Sequence, residues 1–222
     1  MVQGQIQEQI QGQDLFLAIA ESDELIGRFF NMLSMMEYIG ASKIAKSQSL
    51  TETNADTMSH LTEEIRHAQV FKKLALKCNP LLDGFSDETV LAFSAAKNYM
   101  HSIDQGIADQ LNIIKTRKNY VLTTLVVEER AKKVYPLFSK IFDKYGASGP
   151  IRAILREEEG HLSEVQEEIK SLGVSEDLLS QFRKIEEDAF QAILQAMEKE
   201  VSALMKAVSK APGSQSLGEL RA

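Results

Sequence analysis

Glu64-x-x-His67 and Glu158-x-x-His161 each set an acid three residues ahead of an imidazole, in a chain of 222 residues with only four histidines. Residues three apart face the same way on a helix, on adjacent turns of one face. Both pairs fall on stripes at helical spacing: His60, Glu64, His67 and Phe71 share one, and Glu158 stands between the apolar Ile154 and Leu162 on another. One copy of Glu-x-x-His is commonplace on a wet helix face. Two copies shift the balance toward helices that turn charge inward.

The rest of the chain agrees with helices. Ala, Leu, Glu, Lys, Gln and Met dominate, Gly and Pro are few (12 and 4), and alternating Val/Ile/Thr/Tyr runs are absent, a composition that reads all-α. A first pattern runs over 14–47 with a break near "ESDE". A second follows "TETNAD" (51–56) and continues to Cys78. "NPLLDGFSDE" (79–88) interrupts with Pro80 and Gly84 and offers Ser86 as a cap for a segment over 87–113. Helices over 115–144 and 150–171 flank "YGASGP" (145–150), where Gly146 suits a C-cap and Pro150 a first turn. A last helix, 176–210, carries Phe182, Ile185, Ala189, Ile193, Met197, Val201, Leu204 and Val208 on a packing face. Residues 1–12 and 211–222 read as flexible tails around a single domain, 13–210.

The turns supply a test. In an antiparallel helix pair, residues at equal height lie symmetrically about the connecting turn. Glu37 mirrors Glu64 about Leu50–Thr51, and Glu128 mirrors Glu158 about Asp143. Both centres fall at or beside turns placed from Gly, Pro and capping residues alone. Glu37 stands between Leu33 and Ala41, and Glu128 between Leu125 and Ala131, on stripes that are otherwise apolar. A carboxylate on such a face is costly unless paired or bound to a cation. Glu129 is the rival to Glu128, while Glu63, Glu157 and Glu159 read as solvated groups or supports of the ligands.

Four carboxylates and two neutral imidazoles match the charge of two divalent ions. Mixed O/N donors without thiolate suit iron first and manganese second. The single cysteine, Cys78, excludes a disulfide within the chain and a rubredoxin-type site.

Glu37…Glu64-Ile-Arg-His67 and Glu128…Glu158-Glu-Gly-His161, each with an acid before the second glutamate, resemble the doubled E…[DE]ExxH pattern of the ferritin-like di-iron carboxylate superfamily. The resemblance spans about 25–170. It implies a ferritin-like four-helix bundle, here with a crossover helix and a long C-terminal helix, and metal ligation by Glu37, Glu64, His67, Glu128, Glu158 and His161. It further implies a di-iron oxidase or oxygenase that takes O₂, a small apolar substrate and electrons from an external donor. The run Glu128–Tyr135 is similar to bacterial di-iron aldehyde-deformylating oxygenases, and the doubled motif to bacterial di-iron N-oxygenases. A ferroxidase or iron-handling protein without an organic substrate is the alternative. Leu33, Phe71, Leu125 and Tyr135 are the expected pocket walls.

A net charge of −7 is a poor match to a phosphate backbone, so nucleic acid is not an expected partner. The start of the chain lacks the basic and apolar segments of a signal peptide, and no apolar run is long enough for a span. A cytoplasmic enzyme, as a monomer or homodimer, is the expectation. His60 lies a heptad before His67 and reads as a surface or supporting histidine, and His101 as solvated. Tyr38, Tyr120 and Tyr135 read as core tyrosines with satisfied hydroxyls.

Overall fold

The computed structural model describes residues 12–47, 53–112 and 117–210, with side chains to Lys206. Among these residues the fold is an all-α bundle. The helices are α1 (12–20), α2 (Asp23–Ser47), α3 (Ala55–Cys78), α4 (Phe93–Leu111), α5 (Arg117–Ile141), α6 (Ser148–Leu172) and α7 (Glu176–Lys210), with a 3-10 turn at Asp143–Tyr145. None of them is long and apolar enough to cross a membrane. Residues 1–11 and 211–222 of the two expected tails, the Leu50–Thr51 centre and the Val208 side chain lie outside the described residues, and Gly12, expected in the first tail, begins α1.

Local chemistry sets the boundaries. The break in "ESDE" is real: Ser22 Oγ accepts the Leu25 N–H at 3.3 Å and restarts the helix as α2. Asn54 caps α3 by accepting the Thr57 N–H at 2.8 Å. Gly146 and Gly173 close the 3-10 turn and α6 with positive φ, 72° and 61°, a conformation glycine adopts without steric cost. The start of α4 differs from the sequence expectation. Ser86 does not cap it; its hydroxyl turns to Glu88 and Thr89 within a tight loop, and α4 begins six residues beyond the expected 87. The loop is held down by α2: Arg28 donates to the carbonyls of Asp87 and Val90, and Asn31 to those of Gly84 and Thr89. Buried side-chain donors therefore satisfy carbonyls that a longer α4 would have satisfied itself.

Two antiparallel pairs, α2 with α3 and α5 with α6, form the central four helices, and α4 with α7 forms a third pair alongside. The α2/α3 register is fixed by Ser34 Oγ donating to the Ala68 carbonyl at 2.8 Å and by the close approach of Gly27 to Cys78. Phe16, Phe29, Phe30, Phe138 and Phe142 fill one end of the core with ring centroids 4.7–6.3 Å apart, edge-on or tilted. On α7, Phe182, Ile193, Met197 and Val201 are buried as expected. Pro136 lies inside α5, two turns beyond Glu128. Tyr38 corrects its expectation: it is 51% exposed, beside Phe85.

Gly27 shows how tight the α2/α3 seam is. A Cβ there would stand 2.8 Å from Leu82 Cδ1 and 3.1 Å from Cys78 Cβ. Alanine is the better helix former by about 0.5–1 kcal/mol, but overpacking a filled seam costs about 1–3 kcal/mol. Gly27→Ala is therefore expected to lower stability, measured as a lower urea midpoint with unchanged slope.

Candidate metal centre

The six residues singled out by motif and mirror symmetry converge, and a seventh joins them. Donor atoms of Glu37, Glu64, His67 and Glu158 lie within 4.8 Å of one another, and so do those of His60, Glu128 and His161. Helix α2 contributes Glu37, α3 His60, Glu64 and His67, α5 Glu128, and α6 Glu158 and His161. Two carboxylates stand between the groups. Glu64 Oε1 is 3.1 Å from His60 Nε2, and Glu158 Oε1 and Oε2 lie 3.0 and 3.6 Å from the Nδ1 atoms of His67 and His161. Glu128 Oε1 is 3.6 Å from His60 Nε2 and 3.7 Å from His161 Nδ1.

His60 is not the surface group that was one of its two expectations; it is buried, with Nδ1 on the Tyr120 hydroxyl and Nε2 hydrogen-bonded to Glu64, as a supporting histidine would be, and it also falls within a donor group. It is 8% exposed, and its ring centroid is 4.2 Å from that of His161. His60, Glu64 and His67 follow at i, i+4 and i+7, which is one helical face. The signal was in the sequence; a two-turn offset simply does not carry an imidazole out of reach of a site that extends along the bundle axis.

The acids before the two motif glutamates have crossed roles. His67 Nε2 meets Glu157 at 2.7 Å, and His161 Nε2 meets Glu63. Each motif thus orients the imidazole of the other, leaving both Nδ1 atoms facing inward. Arg66 pairs with Glu157. Glu129 is settled by its partner: it points away to Arg183 on α7, at 2.8 and 2.9 Å, whereas Glu128 is 4% exposed and faces the cluster. Glu159 is exposed, as is His101.

The inward atoms lack partners. His67 Nδ1, His161 Nδ1 and both oxygens of Glu128 are buried without a hydrogen bond; the 3.0 Å approach of His67 Nδ1 to Glu158 is a charge contact without hydrogen-bond geometry. Buried polar atoms are normally satisfied. Here the orphans all point into one space, as lone pairs awaiting cations would.

Without a cation, protons carry the balance. Burial, then the charges of Glu64 and Glu158, raise Glu37 well above the usual carboxyl range, and burial, then Glu158 and Glu64, do the same for Glu128. Burial, then Glu158, lift Glu64 to about 7. Burial opposes the charge on Glu158, but His161 and His67 overcome it and bring that carboxyl down to about 2. Burial likewise disfavours imidazolium at His67 and His161, yet their carboxylate partners raise both to about 9. His60 goes the other way, to about 4, through burial and the neighbouring His161.

A cavity of about 340 Å³ opens beside the cluster, and Glu37, His60, Glu64, Glu128 and Glu158 form part of its wall. Most of the remaining lining is apolar, including Met32, Met36, Val127, Val134, Ile193 and Met197. Two expected walls, Leu33 and Tyr135, are correct. Phe71 and Leu125 are not in the wall; they pack within the core away from it. The cavity lies instead toward α4 and α7. Tyr135, as expected of a core tyrosine, donates its hydroxyl to Glu37. Arg130 and Tyr99 hold the buried Glu186 of α7 at 2.6–3.1 Å and so tie down the far wall.

No protein-family model matches the chain, and neither the curated proteins nor the solved structures yielded a match.

Proposed function

We propose that the chain is a non-haem di-iron oxidoreductase of the ferritin-like superfamily that activates O₂ on a small apolar organic substrate. The observation that carries this reading is the set of orphaned, inward-facing donors divided between two adjoining groups, with Glu64 and Glu158 of the first also reaching His60 and His161 of the second at 3.1 and 3.6 Å, beside a largely apolar cavity. Glu37 and His67 would hold one ion, Glu128, His161 and His60 the other, with Glu64 and Glu158 between them. Oxygen and imidazole donors without thiolate fit iron, or manganese. Bound, such a pair supplies the redox chemistry that side chains lack.

The chain's own residues supply the setting. Glu157 and Glu63 fix the imidazole rings. Tyr135 holds the Glu37 carboxylate. The cavity borders the cation side with a largely apolar wall and a few polar groups, which is the arrangement of a substrate pocket. A site that only oxidises iron has no use for a lined apolar cavity, and that favours the enzyme over iron handling.

The test is metal analysis with size measurement on protein loaded anaerobically with ferrous iron. Two irons per chain in a monomer or dimer, followed by O₂ uptake with a reductant, are expected. A shell-sized assembly that takes up many irons would establish the alternative, and failure to bind metal would remove both. Glu157→Gln provides a finer check. The amide is a weaker acceptor for the His67 N–H, so metal affinity should fall about 10–100-fold with two ions still bound at saturation.

A further inference from the structure

The three imidazoles of the centre are not equivalent. His67 and His161 face inward with Nδ1, carry a carboxylate at Nε2, and are absent from the cavity wall. His60 faces inward with Nε2 and lines the cavity, and its Nδ1 lies 2.7 Å from the Tyr120 hydroxyl, also in the wall. In the metal-free protein His60 Nε2 is hydrogen-bonded to Glu64 Oε1 at 3.1 Å; with that nitrogen's lone pair turned to a cation instead, the proton would sit on Nδ1 and be donated to the Tyr120 oxygen. A neutral phenol is a poorer acceptor than a carboxylate, so it strengthens the imidazole as a donor less than Glu157 and Glu63 strengthen theirs.

His60 is also the member without a counterpart. Set it aside and each group keeps one terminal carboxylate (Glu37 or Glu128) and one carboxylate-backed imidazole (His67 or His161), with Glu158 in contact with both imidazoles. Both half-sites are complete in kind without it.

Resting on the two-cation reading, we propose that His60 is a displaceable ligand. It caps the cavity-facing position of the Glu128/His161 ion and yields that position to a small exogenous donor, while His67 and His161 stay bound. The centre then has a built-in asymmetry, with the ion near His60 as the one that receives ligands from the cavity.

The experiment uses full-length protein loaded with cobalt(II), whose visible bands report coordination, and azide as the probe. His60→Ala and His60→Gln are compared with wild type and with His67→Ala, with helicity checked by circular dichroism. Both His60 variants should keep two ions per chain and bind azide at least about tenfold more tightly than wild type, a change of about 1.4 kcal/mol. His60→Ala should also take up free imidazole. Loss of an ion from both His60 variants would overturn the inference, since His60 would then be an obligatory ligand. Unchanged azide affinity with two ions bound would overturn it as well. If wild type itself fails to hold two ions, the two-cation reading falls and takes this inference with it.

Discussion

His67→Ala is expected to abolish the binding of two metal ions per chain while leaving the helical content intact. His67 is 0% exposed, it reaches Glu158 and Glu157 at once, and its group has no other imidazole. Removing it withdraws a donor and leaves Glu157 with Arg66 as its cationic partner. The ion next to Glu37 would then depend on carboxylates alone. The hole left in α3 is expected to lower stability by about 2–5 kcal/mol, as for other large-to-small changes in a core, so a gentler companion is needed. Glu158→Gln keeps the shape of the shared carboxylate and removes its charge, and it should lose the two-ion stoichiometry with less structural cost. Isothermal titration and elemental analysis of both variants decide the matter. Two ions bound at wild-type affinity in either variant would show that the converging donors are not a metal centre.

Much of this centre was legible because helices convert sequence spacing into geometry with little ambiguity. Glu37 and Glu128 were found by reflection across turns that Gly, Pro and capping residues mark, and the antiparallel pairs α2/α3 and α5/α6 put them opposite Glu64 and Glu158. The choice of Glu128 over Glu129 depended on which way α5 is rotated, and that is set by burial of Val121, Leu122, Leu125, Tyr135 and Phe138, which leaves Glu129 on the side of Arg183 in α7, fifty-four residues away. His60 was on the right face, but the extent of the site along the bundle axis is a property of packed helices and not of one stripe. The cavity was the least accessible. Its walls come from all seven helices, with most of the apolar lining on α2, α5 and α7, and whether a side chain such as Phe71 lines a space or fills one depends on packing that spacing does not encode. The α4 boundary failed for a related reason, since Arg28 and Asn31, about sixty residues earlier, satisfy the loop that a local cap was expected to end.

The second large effect is on how stability depends on pH, and how metal changes that dependence. In the metal-free protein, Glu64 is raised from 4.5 to about 7, with burial the main cause, so the folded state keeps a proton that the unfolded chain has released. Its contribution is present below pH 4.5 and is lost as pH rises through about 7. His67 and His161, raised from 6.5 to about 9 by their carboxylate partners against burial, contribute fully below pH 6.5 and lose that contribution as pH rises through about 9. Two groups have the opposite sign. Glu158, lowered to about 2, contributes above pH 4.5 and loses this in strong acid, and His60, lowered to about 4, contributes above pH 6.5 and loses this as pH falls through about 4. Between pH 6.5 and 9 the opposing pair has finished titrating, so the metal-free protein should become steadily less stable. The slope approaches about 1.4 kcal/mol per pH unit for each proton retained, and each kcal/mol is worth about 2–4 °C in a chain of this size. Cations that take the place of those protons remove the decline, so the rise in Tm on adding manganese(II) anaerobically should grow across the same window. Thermal unfolding of both forms at several pH values measures it. A metal-free Tm that is flat or rising from pH 6.5 to 9 would mean that these buried groups do not hold the protons that two divalent ions are expected to displace.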